Sequence, residues 1–240
     1  MVAQLAAPNQ HRTSQFKRET AFSRGVANPR TALAALAETG DAHAQLLLGL
    51  DYLRGTGAVL NLPKAVEWIR RAAAQHEPVA QYWLGTLYEH GDGVAANSVE
   101  ATRWYEAAAA QGNRKAMHAL GVAFAQGNGV QQNYAAAAAW FSKAANLGLV
   151  NSEFNLGVLY ERGLGVPQSL REAYRWYAVA AARGDGESRV RVEVLTTQLA
   201  AQDIAVAQNA AAMFRPQPLV EAANSMPDLA VSPGRTAADE

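Results

Sequence analysis

The sequence predicts an all-α protein, a right-handed α-solenoid of four helix–turn–helix units of 36 residues with helical caps. Three observations carry that reading. Glycine recurs at 49, 85, 121 and 157, and tryptophan at 68, 104, 140 and 176, both at intervals of 36. A fixed period of this length marks a stack in which each unit buries its apolar face only against its neighbours. Through the same stretch, turn and cap residues alternate with apolar stripes at helical spacing. Half of the 240 residues are apolar, enough for a sizeable core.

In chain order, residues 1–28 form a basic, poorly patterned leader, with Arg12, Lys17, Arg18 and Arg24 against Glu19. Residues 29–42 hold PRTALAALAETG, in register with the second helix of a unit, and are expected to form an N-terminal capping helix. The four units then occupy 43–78, 79–114, 115–150 and 151–186 without insertion. The first helix of each buries one face: Leu48, Gly49 and Tyr52; Leu84, Gly85 and Tyr88; Leu120, Gly121 and Phe124; Leu156, Gly157 and Tyr160. Gln45, Gln81, Met117 and Glu153 share that face. Glycine inside a helix costs about 1 kcal/mol relative to alanine. Its repetition therefore predicts close packing, here against Ala65, Ala101, Ala137 and Ala173 of the second helices.

Each first helix ends at a Gly-x-Gly pair, beginning at 55, 91, 127 and 163, where the first glycine suits a left-handed helix end. Ala58, Val94, Val130 and Val166 follow and are expected to plug the corner. Asn61, Asn97, Asn133 and Ser169 then supply N-caps, and Ser169-x-x-Glu172 reads as a capping box. The second helices bury Trp68, Trp104, Trp140 and Trp176, with alanines one turn to either side. Beyond Gly184 the period decays; 187–214 is expected to form C-terminal capping helices. The proline-containing, weakly apolar stretch 215–240 reads as a disordered tail.

Composition narrows the chemistry. Lysine plus arginine equals aspartate plus glutamate, 21 each, so no global charge favours nucleic acid. There is no cysteine, which excludes disulfides and thiolate ligands, and the five histidines recur at no metal-ligand spacing. The Gly-x-Gly pairs open no strand–helix unit and read as turns; Walker, HExxH and Gly-x-Ser-x-Gly motifs are absent. Glu89 and Glu161 fall on different units and are expected to face solvent. No catalytic, cofactor-binding or metal site is expected. No stretch approaches the length of an apolar membrane span, and residues 1–25 lack a secretory signal pattern. Taken as the true start, Met1 implies a cytoplasmic protein, expected to be a monomer.

The pattern A-x-x-x-L-G-x-x-Y-x-x-G-x-G-V-x-x-[ND]-x-x-x-A-x-x-W-[YF]-x-x-A-A-x-x-G over 43–186 resembles the Sel1-like repeat, a relative of the tetratricopeptide repeat. In addition, NPRTALAALAETGDAHAQ, GNRKAMHALGVAFAQGNGV, GLVNSEFNLGVLYERGLGV and MFRPQPL resemble the C-terminal region of PodJ-type polar localisation factors of alphaproteobacteria. That resemblance implies a periplasmic segment of a longer membrane protein. The alternative is a cell-wall-associated protein that binds peptidoglycan or hydrolyses β-lactams, the latter as implied by cysteine-rich members of the repeat family, whose cysteines this chain lacks.

In tetratricopeptide-like solenoids a second stripe of the first helices lines a concave groove. Here that stripe comprises Leu46, Leu50, Tyr82, Thr86, Glu89, His118, Val122, Phe154, Val158 and Glu161, with Trp83 and Asn155 at its margin. These residues either pack between adjacent first helices or form an apolar, aromatic groove for a partner peptide or helix. The expected function is a protein–protein interaction scaffold needing no cofactor, in bacterial polar localisation or envelope organisation.

Overall fold

A computed structural model describes residues 29–56 and 58–226. The basic leader at 1–28, Gly57 and residues 227–240 lie outside the described residues. Twelve helices follow one another, with no strand among the described residues. Helix α1 (Pro29–Glu38) precedes four hairpins: α2 (Ala42–Arg54) with α3 (Leu62–Ala74), and α4 (Pro78–His90) with α5 (Ser98–Ala110). Next come α6 (Arg114–Gln126) with α7 (Tyr134–Asn146), and α8 (Val150–Arg162) with α9 (Leu170–Ala182). Helices α10 (Gly186–Thr196), α11 (Ala201–Met213) and the single turn α12 (Glu221–Asn224) complete the described residues. No described helix is long and apolar enough to cross a membrane.

The hairpins close by the same bonds each time. The side chains of Asn61, Asn97, Asn133 and Ser169 accept from the N–H groups of Lys64, Glu100, Ala136 and Glu172 at 3.0–3.2 Å. Their own N–H groups donate to the carbonyls of Tyr52, Tyr88, Phe124 and Tyr160 at 2.8–2.9 Å, tying the second helix to the first. Only half of the capping box forms: the Glu172 carboxylate turns away to Arg175, 3.2 Å distant. At the end of α3, His76 takes the left-handed conformation (φ 64°) that Gly112, Gly148 and Gly184 take in the other units.

The helical glycines make a closer contact than alanine facing alanine. A Cβ on Gly121 would stand 2.5 Å from Cδ1 and Cε1 of Phe141, and one on Gly157 would stand 2.5 Å from Cε1 of Tyr177. Tyr105 crowds Gly85 and Ile69 crowds Gly49 in the same way, at 2.6 Å. The alanines contribute only their carbonyls, at 3.2 Å for Ala65 and 3.1 Å for Ala101. The glycine therefore makes room for a large side chain lying across the helix. The second glycine of the last three turns also serves packing: Cβ atoms on Gly93, Gly129 and Gly165 would collide with the backbone starting α3, α5 and α7.

Tryptophan locks each unit to the one before it. Trp104 packs against a cluster containing Leu46, Leu50, Ile69 and Leu84; Trp140 against Tyr105 and Leu120; Trp176 against Phe141 and Leu156. Trp68 does the same against Leu33, Ala34 and Ala37, which is how α1 caps the stack. A second coupling joins the start of each first helix to the end of its second. Gln45 pairs with Gln75 and Gln81 with Gln111, each at 2.8 Å, and the fully buried Glu153 pairs with Arg183 at 2.8 Å. The third unit has Met117 and Leu147 at these positions, both against one apolar cluster.

Residues 215–226 depart from the disorder their composition implies. The segment runs back along the inter-unit turns. Phe214 stacks edge-on to Trp176 (5.6 Å), Gln217 N–H donates to the Asn146 carbonyl (2.7 Å), and Pro216 lies against Gly148. Val220 lies against Gly112, the Asn113 amide donates to the Ala223 carbonyl (2.5 Å), and Asn224 bridges Gly112 O and Arg114 N–H at 2.9 Å each. The segment needs little apolar area because it satisfies polar groups at turns where glycine leaves space. Deleting 214–240 is thus expected to lower the melting temperature. Each net hydrogen bond contributes about 0.5–1.5 kcal/mol, and about 2–4 °C is lost per kcal/mol at this size. An unchanged melting curve for the truncated chain would show that the segment contributes nothing.

Candidate partner-binding groove

The predicted stripe divides into layers. Leu46 and Leu50 are 0 % and 2 % exposed and pack with Val66, Ile69, Leu84 and Leu87. These two belong to the core and not to a groove surface. The remaining members are partly buried or, for Glu89, exposed. Tyr82, His118 and Phe154 rest on the rings that cover the helical glycines. Tyr82 lies 5.9 Å from Tyr105, His118 5.4 Å from Phe141 and Phe154 5.6 Å from Tyr177. Leu46 and Ile69 occupy those two positions in the first unit, without an aromatic pair. Trp83 stands edge-on to Tyr82 at 6.0 Å, with the Arg54 guanidinium 5.7 Å from its ring.

Three clefts lie over this layer. The first, of about 380 Å³ between α4 and α6, is lined by Tyr82, Thr86, Glu89, His118 and Val122, joined by His90, Tyr105, Lys115, Ala119 and Asn151. The second, about 270 Å³, adjoins it at Val122 and reaches Asn155 and Val158, with Ala125, Tyr134, Phe141 and Arg162. The third, about 250 Å³, shares His118, Asn151 and Asn155 with the others and adds Phe154, Asp185 and Glu187. Shared residues make them one continuous surface across α4, α6, α8 and the start of α10. Leu46, Leu50, Trp83 and Glu161 line none of the three. A larger depression, about 500 Å³, lies apart from them beside α3, over Val66 and Gly93. Its arginines are engaged: Arg71 with Glu67 at 2.6 Å and Arg70 with the Tyr88 hydroxyl at 3.1 Å.

Glu89 and Glu161 are not simply solvated. The Tyr105 hydroxyl donates to Glu89 Oε2 at 2.5 Å and the Tyr177 hydroxyl to Glu161 Oε2 at 2.8 Å. Burial raises both phenols above their ordinary range, Tyr177 to about 12; for Tyr105 the bond to Glu89 adds to the rise. Arg191 of α10 donates to the other oxygen of Glu161. His118 is held by Ser152 Oγ (2.8 Å) and is pushed below its ordinary value by burial, which favours the neutral ring. These hydroxyl–carboxylate pairs escaped the sequence reading, although one signal was available. Tyrosine stands 16 residues after both glutamates, whereas Leu53 is followed by Ile69 and Ala125 by Phe141. Among the described residues, no group of three or more histidine, aspartate or glutamate side chains converges as a metal ion would require.

Two solved structures share this architecture. A protective antigen of uropathogenic Escherichia coli with an SLR fold is 32 % identical over 75 % of this chain, with a TM-score of 0.69. A Sel1 repeat protein from Oxalobacter formigenes is 35 % identical over 68 % of it, with a TM-score of 0.62. The chain spans only 40 % and 48 % of those two proteins. No curated protein sequence matches it. The model of the Sel1 repeat matches four times, at 42–76, 78–113, 114–149 and 150–185, which are the four hairpins of the stack. The chain belongs to the Sel1 repeat family.

Proposed function

We propose that this protein is an interaction scaffold that holds a partner peptide or helix on the face formed by α4, α6 and α8. Sel1 repeat proteins in general mediate protein–protein interaction. The observation that carries the specific reading is the continuity of the three clefts through Val122, His118 and Asn155. A surface about three first helices wide, with apolar, aromatic and polar groups alternating, suits an extended or helical segment. The resemblance to PodJ-type factors adds that the scaffold serves polar localisation or envelope organisation. Half-buried Tyr82 and Phe154 also support the rings beneath them, so their removal would mix folding with binding. Val122 lines two clefts and lies outside the glycine contacts, while packing on the cluster of Phe141 and Leu156. With a partner identified by crosslinking, Val122→Asp is expected to weaken binding by about 2 kcal/mol, the hot-spot scale, at a temperature where the melting curve shows the variant folded. Normal binding by this variant would remove the groove as the site.

A further inference from the structure

The repeat lets one set of positions be compared within a single molecule. In the fourth unit, Glu161 receives Tyr177 on one oxygen and Arg191 of the next helix on the other. In the second unit, Glu89 receives Tyr105 on the same oxygen, but the position matching Arg191 is Ala119. No side chain among the described residues bonds to the remaining oxygen of Glu89, and Ala119 and Glu89 both line the 380 Å³ cleft. The other two units have Leu53 and Ala125 in place of the glutamate, so only these two sites offer a carboxylate.

We propose that the cleft at Glu89 takes an arginine side chain of the partner, entering where Arg191 enters at Glu161; this rests on the groove being the partner site. Three features favour a guanidinium there. Tyr105 fixes the carboxylate, leaving one oxygen for a charge-assisted bond. Glu89 falls in the last turn of α4, where the helix dipole also attracts a cation. The planar face of Arg can lie against the Tyr82 and Tyr105 rings that line the cleft, which a lysine ammonium does less well. Lys115, in the first turn of α6, contributes a positive charge to the same cleft from a different helix turn than Ala119. His118 is biased towards its neutral form, and His90 turns Nδ1 to the Thr86 carbonyl.

The test is a nuclear magnetic resonance titration of the full chain with Nα-acetyl-arginine amide, and with its citrulline and lysine counterparts. The arginine probe is expected to perturb the Ala119 and Thr86 methyls and to bind at least about tenfold more tightly than either analogue. Glu89→Gln should abolish that preference. Ala119→Arg, which copies the fourth unit, should block the probe and raise the unfolding midpoint, and Glu89→Gln added to it should cancel the rise. Equal affinity for the arginine and lysine probes, or a preference that survives Glu89→Gln, overturns the inference. If Ala119→Arg does not fold, the Glu89→Gln titration decides alone. Partner binding that is weakened by Val122→Asp but accompanied by no arginine preference would overturn this inference and leave the groove standing. Loss of both would end both.

Discussion

Arg183→Ala is expected to destabilise the protein by about 1–3 kcal/mol, the cost of leaving a buried polar group without its partner, because Glu153 is buried while the Arg183 side chain stays 35 % exposed. Glu153 is fully buried in α8, and Arg183 at the end of α9 bonds to its Oε1 at 2.8 Å while Oε2 has no partner. Burial lifts this carboxyl above 4.5, and Arg183 draws it part of the way back. A folded-state value above the unfolded one means that the carboxyl favours folding most below 4.5 and loses that contribution as pH rises through the raised value. Removing Arg183 raises the value further. The deficit of the variant should therefore be largest at neutral pH and shrink towards pH 4.5. The double substitution Glu153→Met with Arg183→Leu copies Met117 and Leu147 of the third unit and should restore most of the loss. Urea midpoints at neutral and acid pH measure both effects. An unaltered midpoint for Arg183→Ala at neutral pH would mean that Glu153 does not depend on it.

Gly121→Leu should likewise destabilise, against its helix propensity. At an exposed position the change would add about 0.8 kcal/mol. Here even the first carbon of the side chain would stand 2.5 Å from two Phe141 ring atoms and 2.9 Å from Cγ. His118 packs on that ring at 5.4 Å, so the ring cannot simply move aside. Overpacking of this kind costs about 1–3 kcal/mol, and overlap already at Cβ places the expected loss at the upper end. Gly186 provides the control. It opens α10 with no atom within 4 Å of an added Cβ, so Gly186→Ala should leave the midpoint unchanged or raised. A midpoint for Gly121→Leu that matches or exceeds the parent would show that the glycine is not a packing site.

What the sequence made legible was whatever repeats identically. The 36-residue period predicted the hairpins, their asparagine and serine caps and the helical glycines, because each answers a backbone need that every unit shares. It misplaced the glycine's neighbour. Helical periodicity puts Ala101 on the inner face with Tyr105, but only geometry reveals that the tyrosine ring crosses Gly85. It also missed the coupled pairs, which vary from unit to unit: Gln81 looks like an ordinary polar residue until Gln111 is found 2.8 Å away. Within the stripe, Leu46 and Leu50 share a helical angle with Tyr82 and Thr86 yet are covered by Leu84 and Leu87 of the next unit. Their burial comes from the stacking of neighbours, which a pattern within one helix does not encode. Residues 215–226 were obscured for a different reason, since backbone and amide hydrogen bonds to turns leave no apolar signature.

The most direct test of the scaffold reading is a crosslinking map. A photoreactive side chain would be placed singly at Thr86, Val122 and Asn155 in the groove, and at exposed Arg103 and Glu106 on α5. The partner is then identified, purified and recombined with each variant. The account predicts that the purified partner crosslinks from the three groove positions and not from α5, and that excess unlabelled partner competes the signal away. Crosslinking confined to α5, or equal from every position, would contradict it.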